Sequence, residues 1–568
     1  MILRRFIKTV GLMALSLGVG TGAVHAQSSA QKADAFLQPL LTAKSVRASG
    51  WTSVIVRIDG PLTAEREGLL TQKGAFVYRR LPIVGSVAVR VPRRDLSRVA
   101  ALPWVQRLSA DVAVQKSDAF IVEHSLASVA RRDYGLTGKG IVVAVLDSGI
   151  DDHPDFAPPG GSGSRVVRSV SFVPESGDDR CGHGTHVAGI IAGNGAASTG
   201  PAFFQTFTGI APQSNLVSVK VLDKNGAGSV SATIAGIQWI LSNRAQYKVR
   251  ILNVSLGHPV GESYLTDPLC QAVEQAWKSG IFVVCAAGNR GRLLQNINVG
   301  FLGNEGWGTA YGSIEAPGND PYVLTVGATK DRTGVRLEDR VTTYSSRGPS
   351  RLDLVLKPDL LAPGNLVIST LAEDSKIKQL YGSTNQILES SYKAVNGNKR
   401  SKDYFVLSGT SMAVPVVAGS AALLLEQDPT LTPDTLKVRL MASADKVGSD
   451  ICTYGAGILN VSAALNSRLT PMDSVLSPKV YRDVFGNVYI GVGGLLGLNG
   501  GLWGILGGSE LGGTKAIWGT DAFLPGSSDA LSSSKAIWGT SVWSDKAIWG
   551  TSFNQVDLSS TVVNGESK

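Results

Sequence analysis

Four short segments of the chain carry side chains that could transfer an acyl group. Val145-Leu146-Asp147-Ser148-Gly149 ends an apolar run on a carboxylate, and Gly182-His183-Gly184-Thr185-His186 sets an imidazole ahead of an apolar stretch. Ala286-Ala287-Gly288-Asn289 ends another run on a side-chain amide. Ser408-Gly409-Thr410-Ser411, followed by Met412-Ala413-Val414-Pro415, opens a long apolar segment on a hydroxyl. A serine hydroxyl is a weak nucleophile near neutrality and needs an adjacent base. His183 can be that base, because a free imidazole titrates near pH ~6.5. Asp147 would fix the imidazole tautomer, and Asn289 would donate to the oxyanion that forms. Taken singly, Asp147 reads as a strand-end cap, His183 as a packed histidine, Ser411 as an N-cap and Asn289 as a turn residue. Together, in this order, they read as one site.

Such a site needs rigid elements to hold it. Ile141–Leu146 is a continuous apolar run that suits a strand buried on both faces, and similar runs recur at 216–222, 251–254, 281–285 and 323–326. Helical patterns lie between them: Ile234, Ile237 and Leu241 share a face, as do Val273 and Trp277, with Gly280 closing the second helix. Alternating strands and helices predict an α/β fold, a parallel sheet flanked by helices with its site at the strand C-terminal ends.

The order Asp, His, Ser and the four segments resemble the subtilisin-like serine proteases, the subtilase family, over roughly residues 130–467. The resemblance implies a serine endopeptidase that acts on polypeptides through an acyl-enzyme, with Asp147, His183 and Ser411 as the triad and Asn289 as the oxyanion donor. It also implies that Ser255-Leu256-Gly257 and Gly226-Ala227-Gly228 line the substrate cleft, where an extended peptide would pair with them; read alone, these glycine segments are tight turns. No cofactor is required for such chemistry. Family members often carry structural calcium, but the sequence assigns no metal ligands: Asp151, Asp152 and Asp155 read as solvated turn acids. His186, three residues after His183, lacks the H-E-x-x-H context of a zinc site and reads as a packed histidine. The rival class is a non-catalytic surface or adhesion protein built on a protease-like scaffold; loss of a triad member would favour it, and none is missing.

Around this core the chain divides into further segments. Arg4, Arg5 and Lys8 precede an apolar stretch from Val10 to Val24 and a small-residue exit at Val24-His25-Ala26, which predicts a signal peptide over 1–26 and an exported protein. Residues 27–115 contain a strand, helix, two strands, helix and strand order typical of a small ferredoxin-like α+β unit. In the resemblance this is an inhibitory, chaperone-like propeptide, followed by the catalytic domain over 116–467. The net charge of +9 is concentrated upstream, since residues 27–116 hold 14 basic and 6 acidic residues while residues 117–568 hold 37 and 39. Removal of the N-terminal segments therefore leaves a near-neutral protein, and nucleic acid loses its support as a partner. Residues 468–568 form a Gly/Ser/Trp-rich extension in which Lys-Ala-Ile-Trp-Gly-Thr occurs at 515–520, 535–540 and 546–551. That spacing is too irregular for a stacked solenoid and points to a tail that attaches to a cell surface or assists secretion.

Two departures from the family pattern and the cysteines affect the expectations. Residues 290–312 look long and irregular, so the P1 preference is unreadable. Residues 371–404 look inserted, and their charge predicts an exposed loop. Cys181, two residues before His183, would make the site sensitive to thiol reagents if exposed. A Cys270–Cys285 disulfide is permitted in an exported protein, while a buried free thiol is expected at Cys285.

Overall fold

The computed structural model describes residues 31–33, 37, 40–41, 50–110, 120–292, 304–395, 397–448, 450–482, 488–491 and 566. The signal segment, residues 293–303 of the 290–312 segment and the three hexapeptide repeats lie outside these residues. The chain separates into two compact units, Met1–Lys116 and Ser117–Lys568.

The first unit is a four-stranded antiparallel sheet with two helices. Its elements are β1 (Trp51–Ile58), α1 (Ala64–Gln72), β2 (Phe76–Leu81), β3 (Ser86–Pro92), α2 (Leu96–Ala100) and β4 (Val105–Ala110), and the sheet runs β2-β3-β1-β4. The alternation of Val54, Val56 and Ile58 on β1 and of Val87, Val89 and Val91 on β3 turns these six side chains into one core with Leu70, Leu96 and Val99. Thr63 caps α1 by accepting from the Arg66 N–H.

The second unit is built on a parallel sheet. Its strands are β5 (Val142–Asp147), β6 (Val166–Ser171), β7 (Asn215–Lys220), β8 (Val249–Val254), β9 (Phe282–Ala286), β10 (Leu324–Lys330), the short antiparallel β11 (Arg340–Val341) and β12 (Leu360–Pro363). They run β11-β10-β9-β8-β5-β7-β6, with β12 parallel to β10. From β5 the chain runs to the sheet edge at β6, returns to β7 beside β5, and then crosses to the other side through β8, β9 and β10. The strand order therefore reverses at β5, and a crevice opens at its C-terminal end. Asp147, the last residue of β5, stands there. The apolar runs are continuous because both sheet faces are covered, by α3 (His183–Ala192), α4 (Val230–Tyr247), α5 (Pro268–Lys278) and α6 (Thr410–Gln427). Helix α6 is apolar all round and nearly fully buried, as a helix in the centre of a large core must be. Its length and hydropathy would also suit a membrane span, but here it is a core helix. Each of its leucines removed from water stabilises the fold by about 1.5–3 kcal/mol.

Two expectations are corrected. Residues 371–404 do not form an exposed loop. They fold into a helix, Lys376–Asn385, and into two strands, β14 (Gln386–Leu388) and β15 (Arg400–Leu407), which with β13 (Val367–Thr370) make a three-stranded antiparallel sheet. Phe207, Ile368, Ile387, Tyr392 and Tyr404 form its own small core. The packing of the second unit also continues past 467, where the sequence placed its end: Val475, Ser477 and Val480 are buried, and Lys437 donates to the Ser477 hydroxyl at 3.0 Å. Glu566 lies on this unit as well. Its carboxylate accepts from the Thr343 N–H at 2.9 Å and pairs with Arg292 and Lys330, while its backbone exchanges hydrogen bonds with the Asn365 amide. Burial pushes this carboxyl up, but the bonds from Thr343, Lys330 and Arg292 outweigh it and hold the pKa below the ordinary glutamate value.

Candidate active site

The first turn of α3 meets the end of β5. Asp147 is 0% exposed and His183 1%, and His183 Nδ1 donates to Asp147 Oδ1 at 2.7 Å. That bond leaves Nε2 unprotonated and available as a base. The Ser148 N–H donates to the same Asp147 oxygen at 2.8 Å. Burial works to lower the His183 pKa, but the Asp147 charge, the hydrogen bond to it and the nearby charge of Asp179 together raise it above the ordinary imidazole value.

Asp179 escaped the sequence reading. Its carboxylate accepts from the N–H groups of Gly182 and Thr185 at 2.7 Å each and from the Ser148 hydroxyl at 2.8 Å, while Ser148 Oγ accepts from the Gly184 N–H at 2.9 Å. The orphan donors at the start of α3 are thus satisfied from outside the helix, because Gly182 at the cap position has no side chain to do it. An acid three residues before a helix-opening glycine is the signal that could have revealed it.

Ser411 is the second residue of α6 and 5% exposed. Pro415, one turn further on, has no N–H to bond the Ser411 carbonyl. The Ser255 hydroxyl donates to that carbonyl at 3.0 Å instead, and Asn253 Nδ2 donates to Ser255 Oγ at 2.9 Å. In return, the Ser411 hydroxyl donates to the Ser255 carbonyl at 3.0 Å. Ser255 and Ser411 therefore hold each other, joining the end of β8 to the head of α6. His183 Nε2 is buried with no hydrogen-bond partner among the described residues, so the Asp147–His183 link is made while the Ser411 hydroxyl is turned to Ser255.

Asn289 follows β9 in the loop Ala287-Gly288-Asn289. Its Oδ1 accepts from the Thr410 N–H at 2.9 Å and the Thr410 hydroxyl at 3.1 Å, which fixes the amide so that Nδ2 is the remaining donor. A Cβ built on Gly409 would lie 3.3 Å from that Nδ2, so the donor faces the turn immediately before Ser411. Gly288 has φ +101°, a left-handed backbone that a side-chain-bearing residue rarely adopts.

Of the sequence-predicted cleft segments, Ser255-Leu256-Gly257 leads from β8 into an antiparallel bridge between His258 and Ala316. Gly226-Ala227-Gly228 forms a tight turn closed by Asp223, whose N–H donates to the Ala227 carbonyl at 2.8 Å and whose carboxylate accepts from the Ala227 N–H at 2.9 Å.

The remaining candidates are structural. His186 is fully buried, and its Nε2 lies 3.1 Å from the carbonyls of both Val367 and Phe405. Burial, with the neighbouring His183 charge, lowers its pKa to about 3, so it is a neutral donor. Cys181 is buried, and burial pushes its thiol well up, which corrects the expectation of a reactive thiol beside His183. All four cysteines are free and buried, and Cys270 Sγ contacts Asn319 Oδ1 rather than Cys285. Asp155 spends its carboxylate on the Ala197 N–H and the Tyr404 hydroxyl and offers no calcium cradle. His124, Asp331 and Asp339 bring one potential ligand atom each within 4.8 Å of one another. His124 Nδ1 is already 2.8 Å from Asp339 Oδ2, and calcium takes oxygen ligands rather than imidazole, so this cluster does not fit that ion.

The sequence profile of the subtilase family matches residues 138–458, which span every element just described. The chain belongs to the subtilase family. Among curated relatives, this subtilase is 38% identical to serine protease AprX of Bacillus subtilis over 341 residues, covering 58% of this chain and 67% of AprX. It is 32% identical to subtilisin E of the same species over 410 residues, covering 71% of this chain and 86% of the relative. Subtilisin Savinase of Lederbergia lenta is 34% identical over 338 residues, 59% of this chain and 94% of that protein. The subtilase is accordingly a serine endopeptidase.

Proposed function

We propose that this subtilase cleaves peptide bonds with Ser411 as nucleophile, His183 as general base and acid, Asp147 as the orienting carboxylate and Asn289 as an oxyanion donor. The observation that carries the reading is the buried 2.7 Å bond from His183 Nδ1 to Asp147, together with the bond that ties the Asn289 amide to Thr410, the residue before Ser411. An extended substrate would pair with the Ser255–Gly257 edge, with Gly226–Gly228 across the cleft. A substrate N–H that bonds the Ser255 carbonyl would take the acceptor now used by the Ser411 hydroxyl. The hydroxyl would then turn, by one staggered rotamer, toward His183 Nε2. As Oγ bonds the scissile carbonyl carbon, its proton passes to Nε2. When the C–N bond breaks, the same proton leaves on the amine, and water repeats the sequence to release the acid. The base contributes about 10²–10⁴ in rate. One oxyanion donor contributes about 10²–10³ in turnover, a figure that comes from subtilisin itself. The chemistry needs no cofactor.

The subtilase is made, in this reading, as an exported zymogen. Residues 1–26 direct export, and residues 27–115 assist folding and inhibit the enzyme until they are cleaved. The tail attaches the enzyme to a surface. Because Val475, Ser477, Val480 and Glu566 all pack on the second unit, a tail deletion that spares these contacts removes residues 492–560 and keeps 561–568. Loss of cell association with peptide hydrolysis retained is the expected result.

The test of the whole reading compares the precursor with its Ser411→Ala variant by intact mass and casein hydrolysis. Only the unsubstituted protein should shed its N-terminal segment and digest casein. Maturation of both without casein hydrolysis by either would overturn it.

A further inference from the structure

Glu315 lies between the two chain segments that follow β8 and β9. The backbone around it is fixed by two neighbours: the Glu315 N–H donates to the Ala287 carbonyl at 3.0 Å, and Ala316 exchanges hydrogen bonds of 2.8 and 2.9 Å with His258. Three extended segments therefore lie side by side, and the outer two are 255–258 and 287–289, which hold the Ser411 hydroxyl's acceptor and Asn289. Both outer segments present a glycine to Glu315. A Cβ on Gly288 would lie 2.8 Å from Glu315 Oε2, and a Cβ on Gly257 would lie 3.5 Å from the same oxygen. The carboxylate thus lies between two positions without side chains. Oε1 pairs with Arg290 Nε at 2.5 Å, where the arginine side chain is 53% exposed and the glutamate 15%.

We infer that Glu315 is the specificity-determining residue of this site and selects substrates with lysine or arginine on the acyl side of the cut bond. The inference rests on the proposed catalytic roles. The carbonyl under attack sits between Ser411 and Asn289, so the side chain one atom away must pass between the Gly257 and Gly288 backbones. It ends at the Glu315 carboxylate. A carboxylate in a narrow, partly buried slot favours a cation and rejects an anion, and a large apolar side chain placed against it would strip water from the charge without replacing it, at a cost. Arg290 occupies the carboxylate from the solvent side and competes with the substrate cation for it.

The test uses the matured enzyme, calibrated by active-site titration, on peptide p-nitroanilides that differ only at the residue before the scissile bond: Arg, Lys, Phe, Leu and Glu. The expected order places Arg and Lys above Phe and Leu, with Glu last. Glu315→Gln should lower kcat/KM for the Arg and Lys substrates by about ten- to a hundredfold, the range of a charge-assisted hydrogen bond, while leaving Leu and Phe unchanged or improved. Arg290→Ala should raise the Arg and Lys values. A merely structural Glu315 would lower all five together. Preference for Phe or Leu that survives Glu315→Gln overturns the inference while leaving the protease reading intact. Failure to cleave any of the five, or casein, overturns the protease reading instead.

Discussion

His183 and His186 stand three residues apart on α3, both closed off from water, in opposite surroundings. At the end of the helix that meets β5, His183 faces the carboxylates of Asp147 and Asp179, and its pKa rises despite burial. One turn in, where α3 packs on β13 and β15, His186 is buried against the carbonyls of Val367 and Phe405 with His183 as its charged neighbour, and its pKa falls to about 3. Burial penalises the charged form of both rings, so the difference lies in whether a neighbour carries a full negative charge. Side-chain type therefore does not distinguish the proposed base from a core residue in this helix. The strand that ends beside it does.

The largest break in that comparison comes from exchanging roles. His183→Ala should lower kcat/KM by about 10²–10⁴, measured on titrated folded enzyme. His186→Asn should leave turnover per folded molecule within about threefold but lower stability by about 1–3 kcal/mol in denaturant unfolding, through lost buried hydrogen bonds.

The pH behaviour sharpens it. His183 has a raised folded pKa, so its stabilising contribution is full below the unfolded value of ~6.5 and is lost as pH rises through the folded pKa. Activity needs the neutral ring and should rise over that same window, with its acid limb centred above pH ~6.5. His186 has a depressed folded pKa. Its contribution is full above pH ~6.5 and is lost as pH falls toward about 3. His186→Asn should therefore flatten the acid side of the stability profile and leave the activity profile in place.

Asp179→Asn should move the acid limb to lower pH, since the Asp179 charge helps to raise His183. It should also destabilise the protein, because one of its acceptor oxygens becomes a donor facing helix N–H groups. The smallest effect is expected at Glu566, outside the comparison. Glu566→Gln weakens the pairs with Arg292 and Lys330 and should cost about 1 kcal/mol near neutral pH. The loss should shrink as pH falls, because the native carboxyl has a lowered pKa.

Strands β5, β7, β8, β9 and β10 and the four chemical segments were legible in the sequence because buried parallel strands write themselves as unbroken apolar runs with the segments at their ends, whereas the half-exposed β6 and the short β11 and β12 were not read. Residues 371–404 were not. Their strands are three to eight residues long, and Glu373, Lys378, Lys399 and Lys402 point outward while Ile387, Tyr392 and Tyr404 fill the small core. Charge counting sees the first set and misses the second. Cys181 was misjudged because closeness in sequence to His183 says nothing of exposure where a helix starts inside the protein. Glu315 belongs to no motif. Only the long-range bonds of Glu315 to Ala287 and of Ala316 to His258 set it between those two segments.

The most direct test of the central claim is labelling with a fluorophosphonate, in which a serine Oγ displaces fluoride from phosphorus, followed by intact mass and peptide mapping. The matured subtilase should gain one adduct, on Ser411, at a rate that follows deprotonation of His183 and falls sharply in a His183→Ala protein whose N-terminal segment has been removed in trans by active enzyme. An adduct on another residue, or labelling of Ser411 at an undiminished rate in His183→Ala, would contradict the account.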